Sequence, residues 1–159
     1  MKIMKATLFM IALTIVAPIH GAVVQREVKA VREEKCDLKR DTPVHLVISP
    51  TLGIETRRAL SNAEQIAKEN GLNLTTMEEA EYVLLCSALF FNFGTRAFVG
   101  SVTINAHKLT PDRKRFVRST VWEGTAKLKP KDEPDASAGL RALFSVYPTE
   151  FTGMAPSKK

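Results

Sequence analysis

Polar and apolar positions alternate along two neighbouring segments in the second half of the chain. In residues 96–109, four apolar side chains fall on one face and polar ones mostly on the other; the apolar set is Phe98, Val102, Ile104 and Ala106. Residues 115–128 alternate in the same way. A period of two is typical of strands with one buried face. Pro111 stands at the second position of the intervening turn, which favours type I. The pattern therefore predicts a long antiparallel hairpin.

Two further segments are apolar without alternation. Residues 44–48 read VHLVI, and residues 82–91 read YVLLCSALFF. Short continuous apolar runs of this kind are typical of strands buried on both faces. The second run is therefore predicted to lie near the centre of a sheet.

Helical spacing occurs in residues 51–70 and 136–146. The first segment has one apolar stripe and ends at Gly71, a residue that readily adopts the left-handed conformation after a helix. The second has an apolar stripe of Leu140, Leu143 and Phe144. Residues 76–80 have the form of a capping box and predict a single helical turn.

The sequence of segment 23–35 is compatible with two conformations. Its valines stand at helical spacing among charged residues, which favours a short amphipathic helix. Because valine is a mediocre helix former, a loosely held arm is an equal alternative. The whole order predicts an α+β fold, with a single mixed or antiparallel sheet of about four strands and two helices packed on one face. The expected divisions are an N-terminal arm at 23–43, the domain at 44–147 and a flexible basic tail at 148–159.

Residues 1–22 have the pattern of a secretory signal peptide. Lys2 and Lys5 precede an apolar run, and Gly21 and Ala22 follow it. The alternative is a membrane anchor, but a spanning helix needs about 20 apolar residues and this run is shorter. Cleavage after Ala22 is expected, leaving no transmembrane segment and a periplasmic or secreted protein.

The charge balance of the chain is basic. The 159 residues include 23 lysines and arginines against 17 acids, and the chain keeps a net charge of +4 once Lys2 and Lys5 leave with the signal. This excess favours anionic neighbours without selecting one.

The chain has two cysteines, Cys36 and Cys86. An even count in an exported protein favours a disulfide between them. The alternative is a pair of separate thiols, with Cys86 as a small core residue.

No motif for catalysis or metal binding is present. The potential ligands Cys36, His45, Cys86 and His107 include no closely spaced pair, whereas zinc sites usually have one. The nucleophile elbow, the phosphate-binding loop and the dinucleotide fingerprint are absent from the sequence. The chain is therefore predicted to be no enzyme and to need no cofactor or metal. A small hydrolase whose site forms only in three dimensions is the alternative.

Five cations gather around the turn of the predicted hairpin and form a candidate anion-binding site: Lys108, Arg113, Lys114, Arg115 and Arg118. Anionic polysaccharide or lipid head groups are the expected ligands. Nucleic acid is not expected, because Phe116 and Trp122 alternate onto one face and suit core packing better than base stacking. The alternative is a solvated turn whose charges prevent aggregation.

Phenylalanines crowd the preceding turn. If Phe93 and Phe98 point outward, they form an apolar contact site for a partner or a lipid. The alternative is that they cover the core beneath a loop.

Three stretches resemble a small module of bacterial envelope accessory proteins. They are VHLVIS at 44–49, the helix ending Asn70-Gly71-Leu72, and EAEYVLLCSALF at 79–90. The module occurs in the amino-terminal domain of the Tol translocation protein, in lipoprotein activators of penicillin-binding proteins and in the lipopolysaccharide-assembly lipoprotein. The resemblance implies a non-catalytic role, docking onto other envelope proteins. Unlike many members, this chain has no cysteine directly after its apolar run for a lipid anchor, and a single domain is expected from its length. The predicted function is thus an exported interaction module, with anion binding as the alternative.

Overall fold

Among the residues that the structure describes, five strands form one central sheet. In the computed structural model, residues 24–33, 35–49, 53–112, 115–129 and 136–149 are described. The strands are β1 (Val24–Arg32), β2 (Val44–Ile48), β3 (Tyr82–Phe93), β4 (Arg96–Leu109) and β5 (Phe116–Leu128). They make one mixed sheet in the order β1-β5-β4-β3-β2, in which β2 runs parallel to β3 and all other pairs are antiparallel.

Within these described ranges, three helices accompany the sheet: α1 (Ile54–Ala59), α2 (Ala63–Glu69) and α3 (Ser137–Val146). The α+β prediction is confirmed, with five strands instead of about four. The single helix predicted at 51–70 is divided into α1 and α2. α1 ends at its C-cap, Leu60, and α2 begins after its N-cap, Asn62. Serine and asparagine between the two helices compete for backbone hydrogen bonds and favour such breaks.

The prediction of a short helix or a loosely held arm at 23–35 is wrong, because Val24–Arg32 forms the strand β1. Val28 and Ala30 pair with Ala126 and Gly124 of β5, and Ala30 is 1% exposed. Pairing with a strand almost a hundred residues later decides the conformation here, so the weak helical spacing of the valines is overridden.

The larger of two buried apolar clusters among the described residues, here called the core, lies between the helices and one face of the sheet. The smaller one, formed by Ala80, Val83 and Leu109, lies on the opposite face. The predicted stripe of α3 is confirmed, since Leu140, Leu143 and Phe144 are all fully buried. The alternation predicted for 96–109 is confirmed for the side chains that the structure describes, with Val102 and Ile104 in this core. α3 approaches the sheet closely at Gly139, where a Cβ atom would lie only 2.9 Å from a Val102 methyl carbon.

A side-chain pair links α2 to α3 at the surface. Arg141 donates to Glu69 at 2.6 Å, and this hydrogen bond lowers the pKa of the Glu69 carboxyl. Both side chains are largely exposed, so the pair adds little stability. Within the described ranges, no helix is long and apolar enough to cross a membrane. The predicted signal peptide at 1–22, and the tail beyond residue 149, lie outside those ranges.

Candidate interaction surfaces

The sheet face opposite the helices carries a row of hydroxyl groups and is here called the open face. Ser87 of β3 is paired with Thr103 of β4, which is paired with Thr125 of β5. The two threonine hydroxyls lie 3.1 Å apart, and the Ser87 hydroxyl lies 3.5 Å from the Thr103 carbonyl oxygen. All three residues are partly buried. The hydroxyl row is therefore bonded within the sheet and offers a polar but weakly charged surface.

Both predicted strand histidines lie in one row of this face. His45 of β2 and His107 of β4 are each paired with Val83 of β3, which separates them. The Nδ1 atom of His45 lies 3.0 Å from the Thr75 carbonyl oxygen, and that of His107 lies 3.3 Å from the carbonyl oxygen of Ser119. The sequence spacing did not reveal this proximity. Among the residues that the structure describes, no group of three metal-ligating side chains forms.

One amide oxygen on the open face has no hydrogen-bond partner among the described residues. It is Oδ1 of Asn105, which is inaccessible to solvent. Asn105 lies between Leu85 and Glu123 in the register of the sheet. A buried polar atom without a hydrogen-bond partner lowers the stability of the folded protein.

An apolar area lies where β3 and β4 run beyond their neighbours. Leu89 is 55% exposed and Phe91 is 44% exposed. The ring of Phe91 lies across Gly100, where a Cβ atom would stand 2.1 Å from the ring. The apolar run of β3 is therefore buried on both faces only in its first half, which corrects the prediction for 82–91. The sequence signal for this was the short β2, which is too short to cover all of β3.

The outer edge of β1 is a second surface. Glu33 donates its amide to Val121 of β5, so the backbone groups of alternate residues, Ala30 and Arg32 among them, point away from the sheet. Val31 is 68% exposed on the open face beside this edge. No described strand pairs with that edge. Next to it lies a shallow open depression of about 320 Å³, lined by Val31, Arg32, Glu33, Thr120 and Glu123.

The predicted basic cluster is only partly described. Lys108 and Arg115 are exposed, Arg118 has a described position only as a residue of β5, and Arg113 and Lys114 lie outside the described residues. The Asp112 carboxylate lies in the same turn, where it accepts a hydrogen bond from the Thr110 hydroxyl at 2.5 Å. This acid reduces the positive potential that an anion would meet at the turn. Of the predicted apolar contacts, Phe93 and Phe98 occupy strand positions in β3 and β4, and their side chains are not among those described.

The structure does not support the expected disulfide. Cys36 and Cys86 are both free thiols. Cys36 accepts a hydrogen bond from the Nε atom of Arg32 at 3.0 Å, near the Tyr82 end of β3. Cys86 is four residues further along that strand, which corresponds to about 13 Å, and it points into the core.

The two thiols should differ sharply in reactivity. Burial raises the pKa of the Cys86 thiol to about 12, whereas Cys36 is partly exposed. Because the thiolate is the reactive form, we expect a water-soluble disulfide reagent at pH 8 to modify one thiol per folded chain. The second should react only after denaturation. Replacing Cys36 by serine should abolish the fast reaction, and a folded protein with no titratable thiol would restore the disulfide.

Comparison with known proteins assigns the chain to no family. No family model matches the chain, and no curated protein does. Two similar solved structures are a PelC dodecamer from Paraburkholderia phytofirmans and a single-substitution variant of it. Both are 17% identical and align over 75% of this chain, with TM-scores of 0.49 and 0.47 and with 96% and 92% of those chains covered. At these values, the similarity supports no conclusion about ligand or assembly. The resemblance to the envelope accessory modules stays a prediction.

Proposed function

We propose that this chain is an exported, non-catalytic interaction module that docks onto an envelope protein by accepting a strand along β1. The observation that carries the proposal is the outer edge of β1, with which no strand in the described part of the chain pairs. An edge strand presents a row of backbone donors and acceptors, which is the feature that strand addition uses.

The side chains around this edge suit an added strand. Ala30 is buried against the core, so the edge is held in place, while the exposed Val31 would gain an apolar neighbour on the open face. Lys29 and Glu33 are exposed on the same face as Val31. These two charges discourage pairing with an unselected strand and favour a partner strand with matching charges.

The basic turn supports anion binding less well. Lys108 and Arg115 are exposed there, but the Asp112 carboxylate lies in the same turn. An anionic polysaccharide or a lipid head group would therefore meet a mixed charge at this site. Strand addition along β1 does not depend on the charge at this turn, and for that reason it is the preferred function.

Site-specific photocrosslinking in cells of the native envelope tests the proposal. A photoreactive amino acid in place of Val31 should capture one or two defined envelope proteins, whereas the same group in place of the exposed Ile54 on α1 should not. Ala30→Pro removes an amide that points outward and leaves the bonds from β1 to β5. That variant should lose the capture while it stays folded by circular dichroism. Capture that persists in folded Ala30→Pro would exclude strand addition along β1.

A further inference from the structure

The apolar end of the open face has no described element above it. β2 pairs with β3 only as far as Cys86, and β5 pairs with β4 only from Ser101. Leu89 and Phe91 therefore lie on a hairpin end that runs past both neighbouring strands, and each exposes about half of its surface. The opposite side of this hairpin is packed, since Phe90 contacts the core and Val99 is 3% exposed. The exposed apolar surface thus belongs to the open face alone.

The surroundings of this hairpin end are cationic. No aspartate or glutamate occurs between Glu81 and Asp112, a stretch that includes all of β3 and β4. On the open face, Lys127 lies opposite Ser101, which lies opposite Leu89. These two strand spacings correspond to about 10 Å between Lys127 and Leu89.

A second lysine extends the positive charge over the open face. Lys29 of β1 is paired with Thr125, one row away from Lys127, and both lysines are exposed. The described acid of this face nearest to Lys127 is Glu123, four residues away along β5, or about 13 Å. Lys29 lies three strands from Leu89, about 16 Å away, and about 8 Å from Glu123. Leu89 and Phe91 are thus bordered by Lys127, and Lys29 adds a second cation further across the same face.

We propose that this end of the open face, formed by Leu89, Phe91 and Lys127, docks on an anionic phospholipid surface, and that Lys29 extends the contact across the face. Leu89 and Phe91 enter the boundary between head groups and acyl chains, and the two lysines contact phosphates. Apolar side chains combined with nearby cations are the two components by which peripheral proteins bind such surfaces. This inference goes beyond the proposed strand addition, which uses the backbone edge of β1.

Other occupants fit the chemistry less well. A second copy placed face to face would bring Lys29 and Lys127 close to the same lysines of its partner, and like charges repel. An anionic polysaccharide would satisfy the lysines but would leave Leu89 and Phe91 without an apolar environment. A phospholipid surface satisfies both groups at once.

A local fluorescence measurement on the full chain tests the proposal, and it reports on the hairpin end without interference from binding by other segments. Leu89→Trp and Val31→Trp place a reporter at the hairpin end and near the β1 edge of the same face. Because native Trp122 is fully buried, its signal is a constant background that the unsubstituted chain supplies. With vesicles of phosphatidylglycerol and phosphatidylcholine, Leu89→Trp should shift its emission to the blue and be quenched by brominated acyl chains. Val31→Trp should do neither.

Vesicle sedimentation separates the two components of binding. Leu89→Ser with Phe91→Ser should lower the partition coefficient at least tenfold, and Val31→Ser is the matched control that should not. Lys29→Ser with Lys127→Ser should lower it on anionic vesicles by about fivefold per lysine and reduce its dependence on salt. Thermal unfolding followed by circular dichroism verifies that each variant is folded.

Several outcomes would overturn the proposal. A Leu89→Trp reporter that stays in water while the chain sediments with vesicles would place the membrane contact elsewhere. Equal binding to phosphatidylcholine alone would remove the role of the lysines. A dimer that becomes a monomer in the Leu89→Ser, Phe91→Ser variant would identify a second copy as the occupant. Loss of strand capture in Ala30→Pro leaves these lipid measurements unchanged, so the two proposals fail independently.

Discussion

Trp122→Ala should destabilise the protein by about 3–5 kcal/mol, the usual cost of removing a buried tryptophan. The Trp122 side chain is fully buried in β5. Its ring meets Tyr147 edge to face, with centroids 5.0 Å apart, and Nε1 donates to the Thr149 carbonyl at 3.1 Å. The truncation leaves a large cavity between the sheet and the end of α3 and removes that hydrogen bond.

The surroundings of the ring cannot collapse easily into this cavity. Gly124 lies under the indole, where a Cβ atom would stand 2.5 Å from the ring, and glycine has no side chain to fill the space. Urea unfolding followed by far-ultraviolet circular dichroism is the suitable measurement, because Trp122 is the single tryptophan of the chain and its fluorescence is lost in the variant. The midpoint should fall with little change in the slope.

Tyr147→Phe is the matched control for this experiment. The Tyr147 ring is as buried as Trp122, but its hydroxyl has no hydrogen-bond partner among the described residues, and burial raises its pKa. Removing an unpaired buried hydroxyl while keeping the ring should be nearly neutral or slightly stabilising. If Trp122→Ala cost less than about 1 kcal/mol, or Tyr147→Phe as much as Trp122→Ala, the described packing around these rings would be wrong.

Local patterns predicted the elements whose contacts are close in sequence. The hairpin of β4 and β5 follows from alternation, and α3 follows from its stripe of Leu140, Leu143 and Phe144. β1 was missed because its conformation depends on pairing with β5, almost a hundred residues later. Nothing in residues 23–35 taken alone favours that pairing over a helix.

The surfaces were harder to predict than the elements. Leu89 and Phe91 belong to an apolar run that is typical of a strand buried on both faces, yet both are exposed. Burial of that run depends on how far its neighbours extend, and β2 pairs with it only as far as Cys86. The open edge of β1 could not be predicted either, since β1 itself was not. Sequence reasoning selected Phe93, Phe98 and the basic turn as candidate contacts, and it did not single out Leu89, Phe91, Lys29 or Lys127.

A single guanidinium group, that of Arg40, links the C-terminal ends of α2 and α3. We expect Arg40→Met to lower the free energy of unfolding by about 2–3 kcal/mol. Arg40 lies in the connection between β1 and β2 and donates to three carbonyl oxygens: Asn70 at 2.6 Å, Ser145 at 2.9 Å and Tyr147 at 2.6 Å. Asn70 is the C-cap of α2, and the other two residues belong to the end of α3. The positive charge of Arg40 also compensates the partial negative charge at the C-terminal ends of these two helices, which is stabilising.

The expected loss is smaller than three full charge-assisted hydrogen bonds, each of which is worth about 1.5–3 kcal/mol. Ser145 is exposed, so its carbonyl can turn to water, whereas Tyr147 is buried and its carbonyl is harder to satisfy. Arg40→Lys should recover only part of the stability, because one ammonium group cannot reproduce the fork of a guanidinium between two helices. Lys39→Met, at the exposed neighbouring position, is the control and should stay within about 0.5 kcal/mol of the unsubstituted protein.

Urea unfolding measures the free-energy change, and amide hydrogen exchange shows where it acts. If Arg40 joins α2 to α3, protection should fall together at the last turns of both helices in Arg40→Met, while the amides of β4 exchange only through global unfolding. A uniform loss of protection would instead mean that Arg40 contributes only to overall stability. Because both helices cover one face of the sheet, a local loss would leave the open face intact. Vesicle binding by the folded Arg40→Met variant should then be unchanged, which separates the support of the fold from the proposed lipid contact.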